Sequence, residues 1–242
     1  MKQLHNSHTE YLELLNNPKP QITNVIRGRK LELYIKSLEV KGLTQLQKDV
    51  IVGVLLGDGT LQCKSQSKPH LKFEQSARNR EERSYIDFLY SVFSSFVGTP
   101  PKPRFKNGKV HSYWFRTLGI PAFLFYSHQF YFIDPMGKRR KKIPSNIHQM
   151  LSPIVLAIWF MDDGFLTQTG YMLHTEGFTF PDIKVLQKAL GRVFGLHATI
   201  NRDNRERGSL YKLYIPARDR KKFVELVEPY ILPVIRYKLG DF

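Results

Sequence analysis

The stretches Ile51-Val-Gly-Val-Leu-Leu-Gly-Asp-Gly59 and Leu156-Ala-Ile-Trp-Phe-Met-Asp-Asp-Gly164 decide the fold. Each is a short run, apolar on every side, that ends in a carboxylate and a glycine. A helix of that composition must be buried. A carboxylate at the end of a buried helix is costly unless a cation or a donor compensates it. Two such ends in one chain predict two helices side by side, with Asp58 and Asp163 close enough to share divalent metal. Gly53 and Gly57 fall on one helix face, so a second helix can approach closely there, and Ala157 offers it a small partner. Ile158 and Asp162 stand where the first run has Gly53 and Gly57. That predicts asymmetric packing and one extra acid near the site.

Outward from these runs the chain reads as one order given twice. After a helix over about Thr44–Gly57 come strands Thr60–Gln66 and His70–Gln75, turned by Ser67-Lys68-Pro69. A helix follows with Tyr85, Phe88, Leu89, Val92, Phe93 and Phe96 at helical spacing. Strands Lys102–Lys106 and Val110–Thr117 are joined by Asn107-Gly108, a hairpin turn signal. An aromatic helix, Ala122–Phe130, leads into a basic run. The second copy has a helix Pro153–Asp162 and strands Phe165–Gln168 and Tyr171–Glu176. Next comes a helix with Ile183, Leu186, Leu190, Val193 and Phe194 on one side. Strands Ala198–Arg202 and Leu210–Ile215 and a helix Arg218–Tyr230 complete it. The expected class is α+β, a duplicated α-ββ-α-ββ-α unit, with repeats at 44–146 and 147–242. Residues 1–43 read as an extension in which Leu31, Leu33, Ile35 and Leu38 form a short helix. A pseudo-two-fold chain suits a ligand that is itself nearly two-fold, such as duplex DNA.

Composition points the same way. The chain has 242 residues, 37 Lys plus Arg against 21 acids, and a formal charge of +16. That excess calls for a polyanion, nucleic acid before a membrane surface. The longest apolar run, Ile154 to Met161, is too short to span a bilayer. Glu10 and Glu13 near the start oppose a secretory peptide or a cleaved organellar presequence. The single cysteine, Cys63, excludes an internal disulfide and a multi-cysteine zinc site. It fits a reducing intracellular compartment, an organelle included if the gene is organellar. No phosphate-binding glycine loop is present, so no nucleotide cofactor is expected.

Over about residues 44–242 the chain resembles the LAGLIDADG homing endonucleases in their single-chain, two-motif form. The second motif, with Ser152-Pro153 ahead of it, is the more specific. The resemblance implies a central helix pair whose ends hold the metal site, and two curved sheets that saddle DNA. It implies a monomer that makes a staggered double-strand break with 3′ overhangs in a long target. Phosphates repel an attacking hydroxide; divalent metal offsets that charge, lowers the water pKa and steadies the leaving oxygen. Oxygen ligands favour Mg²⁺, with Mn²⁺ a substitute. Asp58 and Asp163 are the expected ligands, with the backbone carbonyls of Gly57 and Asp162. Lys141, in the run Lys138-Arg-Arg-Lys-Lys142, and Lys238 lie at similar offsets from their aspartates. The family places lysines there to polarise solvent or stabilise developing charge; Lys142 is a rival to Lys141. Gln75 and Glu176 end matching strands, where the family often has glutamine ordering solvent.

The recognition surface follows from strand alternation. Gln62, Lys64 and Gln66 oppose Leu61 and Cys63, and Lys102, Arg104 and Lys106 form another set. Thr199 and Asn201 oppose Ala198 and Ile200; Lys212 and Tyr214 oppose Leu213 and Ile215. Lys72, Lys109, Arg116 and Gln168 join this surface, and Arg202, Arg205 and Arg207 sit near a hairpin tip. Lys, Arg and Gln are types that read guanine and adenine in the major groove. Two other functions share the fold: an intron RNA maturase that does not cut DNA, and a DNA-binding regulator without activity. The presence of both aspartates and both lysines favours the nuclease.

Overall fold

A computed structural model describes residues 2–16, 27–63, 68–77, 80–203 and 210–240. The chain forms two compact units, one of residues 1–48 and 58–125, the other of 49–57 and 126–242. In the first, helices α1 (Lys2–Asn16), α2 (Arg29–Lys41) and α4 (Arg80–Val92) accompany strands β1 (Thr60–Gln62), β2 (His70–Ser76), β3 (Lys102–Lys106) and β4 (Lys109–Arg116). Its sheet runs β1-β2-β4-β3, antiparallel throughout. Leu61, Leu71, Phe73 and Phe115 cover one face and are buried. Asn107, at φ 51°, and Gly108, at φ 73°, make the expected turn, which pairs Lys106 with Lys109.

The second unit holds most of α3 (Gln45–Leu56) with α5 (Leu124–Phe130), α6 (Pro153–Asp163), α7 (Phe180–Phe194) and α8 (Arg220–Val227). Strands β7 (Gly164–Leu166), β8 (Tyr171–His174), β9 (Thr199–Asp203) and β10 (Leu210–Ile215) form a sheet ordered β7-β8-β10-β9, the connectivity of the first sheet again. Every residue of α6 from Ile154 to Met161 is buried. Pro153 sits in its first turn, where no N–H is needed, and Ser152 caps it by accepting from Val155 N at 3.2 Å. α7 opens on a capping box of Thr179 and Asp182 and closes on Gly195 in the left-handed region at φ 61°.

Several expectations are corrected. The run expected as strand 60–66 pairs only over Thr60–Gln62, and Lys64 and Gln66 lie outside the described residues. β7 stops at Leu166 because Thr167 turns onto Gly170, so Gln168 is in an exposed turn. The basic run is half of a ribbon: β5 (Tyr131–Ile133) pairs β6 (Arg139–Lys141). The last helix is shorter than expected, because Pro229 lacks an N–H to continue it and a 3₁₀ turn follows. Residues 2–16, part of the expected extension, form α1. Tyr11 of α1 is fully buried, its ring edge-on to Phe88 at 5.3 Å.

Candidate active site

The site begins where α3 and α6 end. A Cβ placed on Gly53 would lie 2.6 Å from Ile158 Cβ and 3.0 Å from the Val155 carbonyl; one on Gly57 would lie 2.5 Å from Asp162 Cβ. Only glycine fits either place. The larger Ile158 and Asp162 of α6 therefore pack against the bare positions of α3, which is the asymmetry the sequence predicts. Asp162 and Asp163 are half-buried, and Asp58, the residue after Gly57, is exposed.

Two lysines end on helix carbonyls. Lys141 Nζ donates to Gly57 O at 2.7 Å, and Lys238 Nζ donates to Met161 O at 2.7 Å. Both stabilise the negative end of a helix. Lys141 reaches its carbonyl because the β5–β6 ladder holds it opposite Tyr131. Lys142 instead gives its backbone N–H to Phe130 O, and strand alternation turns its side chain the other way. The two lysines are one residue out of step, since Met161 corresponds to Leu56 and not to Gly57.

Two clefts flank Asp163. One, of about 310 Å³, is lined by Gly57, Lys141, Asp163, His174 and Glu176 among others. The other, of about 540 Å³, is lined by Asp162, Asp163, His174, Tyr237 and Lys238 among others. His174 borders both. Its Nδ1 donates to Glu176 Oε1 at 2.7 Å, and Lys212 Nζ donates to the same oxygen at 3.1 Å. Burial pushes the Glu176 carboxyl up, but the His174, backbone and Lys212 hydrogen bonds outweigh it and hold it below the ordinary glutamate value. Glu176 is thus a carboxylate at neutral pH and a weak base. His174 was not singled out from the sequence; its signal was its place two residues before Glu176.

Lys212, expected to reach DNA, is buried and committed to Glu176. Gln75 and Glu176 are also out of register. Lys72 pairs with Thr60 and Met172 with Phe165, each the residue after the motif glycine, so Phe73 and Leu173 are equivalent. Gln75 is two residues beyond Phe73, whereas Glu176 is three beyond Leu173. Gln75 lies within β2, whereas β8 ends at His174 and Glu176 lies in the turn after it, so the two do not end matching strands.

On the first sheet, Glu74 gathers the polar face. It accepts from Lys72 at 2.6 Å and Ser112 at 2.7 Å, and Arg104 Nε lies 3.2 Å away. These contacts outweigh burial and hold the Glu74 carboxyl low. Gln62, Lys109 and Arg116 are exposed. Lys102, Arg104 and Lys106 are exposed too, but so are Pro103 and Phe105: β3 is an edge strand open on both sides, not half-buried as alternation suggested. On the second sheet Thr199, Asn201 and Arg202 are exposed. Arg205 and Arg207 lie outside the described residues.

Paired helix ends with acids, lysines on their carbonyls, and a twice-repeated four-stranded sheet define a duplicated nuclease fold. Residues 48–223 match the LAGLIDADG DNA endonuclease family, and the chain belongs to it. DNA endonuclease I-ChuI of Chlamydomonas applanata is 28% identical over 82% of this chain and 96% of its own. Cytochrome b mRNA maturase bI2 of Saccharomyces cerevisiae is 29% identical over 80% of this chain and 47% of its own. The solved structure of homing endonuclease I-WcaI, bound to its DNA recognition sequence, superposes with TM-score 0.76 at 27% identity, over 92% of this chain and 97% of that one.

Proposed function

We propose that this protein is a site-specific homing endonuclease that makes a staggered break in both strands of a long duplex target. The observation that carries the reading is the α6 terminus. Asp163 borders a cleft with Gly57, and Lys141 and Lys238 end on the helix carbonyls beside it. Hydrolysis forms a bond from phosphorus to the water oxygen and breaks one phosphoester bond.

Oxygen donors suit a hard divalent cation that keeps water in its coordination sphere, and Asp163, Glu176 and Gly57 border one cleft. Among the described residues no three His, Cys, Asp or Glu are grouped so as to hold a metal ion by themselves. Asp58 and Asp163, with the Gly57 and Asp162 carbonyls, would hold Mg²⁺, or Mn²⁺ in its place. The metal would supply charge neutralisation at the phosphate and a lowered water pKa. Lys141 and Lys238 set positive charge where the phosphate's charge grows. Glu176, kept ionised by His174 and Lys212, orders water by accepting its hydrogens. The protein acts as a monomer, in an intracellular reducing compartment.

Asp58→Asn or Asp163→Asn should abolish cleavage of the target in Mg²⁺ and leave gel-shift affinity within about threefold, since neither aspartate adds attraction for phosphate. A variant that cuts at the normal rate would remove that residue from the site. A maturase reading is favoured by one finding, the likeness to the bI2 maturase. Splicing of the host intron by the Asp163→Asn variant would show that the two activities coexist.

A further inference from the structure

The β5–β6 ribbon does more than deliver Lys141. Its pairs are Tyr131 with Lys141, Phe132 with Arg140, and Ile133 with Arg139. An isolated two-stranded ribbon is marginal in water, yet this one is fastened at both ends. At the base, the Arg139 guanidinium lies over the Tyr131 ring at 3.5 Å and donates to Ser127 Oγ at 2.9 Å. At the tip, Asp134 accepts from Met136 N at 3.0 Å, Lys138 N at 2.8 Å and Arg140 Nε at 3.0 Å. Gly137 completes the turn at φ 75°.

This braced tip carries apolar side chains into solvent. Ile133 is 64% exposed, Met136 79% and Phe132 39%. Exposed Lys138 and Arg140 flank them. Ile133 and Met136, both exposed near the end of a rigid projection with Phe132 on its other face, call for a partner. Apolar side chains between cations are what a groove of duplex DNA accepts: the cations meet phosphates, and the wedge enters a base step. An anionic membrane would attract the same composition. Position decides between them. Ile133 is on the same ribbon face as Lys141, two rungs or about 7 Å along the strand, and Lys141 ends in the candidate active cleft.

We propose that the ribbon is a DNA-unstacking arm: Ile133 and Met136 press into the duplex beside the scissile phosphate and hold it bent, while the exposed Lys138 takes a flanking phosphate. This rests on the nuclease reading above.

The test uses the full chain and target duplexes carrying 2-aminopurine at successive steps around the cut. The wild type should raise fluorescence at one step near the scissile phosphate. The double variant Ile133→Ser/Met136→Ser, altered only at exposed positions, should lose that rise, and single-turnover cleavage should fall about tenfold to a hundredfold from misplacement of the phosphate. Its salt slope of binding should not change, because no charge is removed. Met136→Leu with Ile133→Val should restore both signals. Unstacking and cleavage unchanged in the double variant would overturn the arm and leave the nuclease standing. So would loss, in that variant only, of self-association in sedimentation or of binding to phosphatidylserine vesicles. A wild type that neither binds nor cuts any duplex would fail the nuclease reading itself.

Discussion

At the scale of single residues, the site depends on what is missing from α3. Gly53→Ala puts a methyl 2.6 Å from Ile158 Cβ and 3.0 Å from the Val155 carbonyl. Overpacking of that kind costs about 1–3 kcal/mol. Urea denaturation should show that loss for Gly53→Ala, and Gly53→Ala/Ile158→Ala should recover part of it. Additive losses would mean that the two residues do not meet. Asp219 gives a prediction with a pH sign. Burial raises its carboxyl, but the His197 backbone N–H, the His197 ring and nearby charge outweigh that and hold it below the ordinary aspartate value. A folded pKa below the unfolded one means stability present above about pH 4 and lost as pH falls through the folded pKa. Asp219→Asn should cost about 1–2 kcal/mol at pH 7 through weakened charge-assisted bonds. The gap from wild type, followed by thermal denaturation, should close as pH falls below about 4 and through the folded pKa. The close approach of Gly53 and Gly57 to Ile158 and Asp162 was legible in the sequence, because helical spacing fixes which residues share a face. The His174–Glu176–Lys212 cluster was not, since it needs the β8–β10 register, and a single-residue slip reverses a strand face.

At the scale of elements, α1 shows how far tertiary packing exceeds local signal. Nothing in its polar residues announces a core element, yet Tyr11 is fully buried against Phe88. Tyr11→Ala should destabilise the protein by about 3 kcal/mol, in the range for deleting a buried aromatic ring, and lower its urea midpoint. An unchanged midpoint would detach α1 from the fold. Elements with strong punctuation were read correctly from sequence. Asn107-Gly108 marks the β3–β4 hairpin, and Ser152-Pro153 marks the start of α6. The β5–β6 ribbon was missed because its strands are short, its second strand is a run of cations, and neither alternates in polarity. The bulge between Arg104 and Phe105 likewise has no sequence signal.

At the scale of the whole molecule, the charge of +16 outweighs any single contact. With 6–10 phosphates engaged, affinity for duplex should fall by about 10³–10⁵ between ~50 and ~200 mM salt. A flat titration would count against phosphate-led binding. The duplication was legible as order, because the same succession of apolar helix, strands and turn residues recurs. How each sheet differs was not. Glu74, on the first sheet, corresponds by ladder to His174 on the second, and Trp114 to Lys212. Equivalent places thus offer an acid and an imidazole, an indole and an ammonium. A homodimer would have to present the same alphabet twice and would be tied to a palindrome. Joined in one polypeptide, the copies are free to drift apart, and under the nuclease reading proposed above each half of a target could change without dragging the other along.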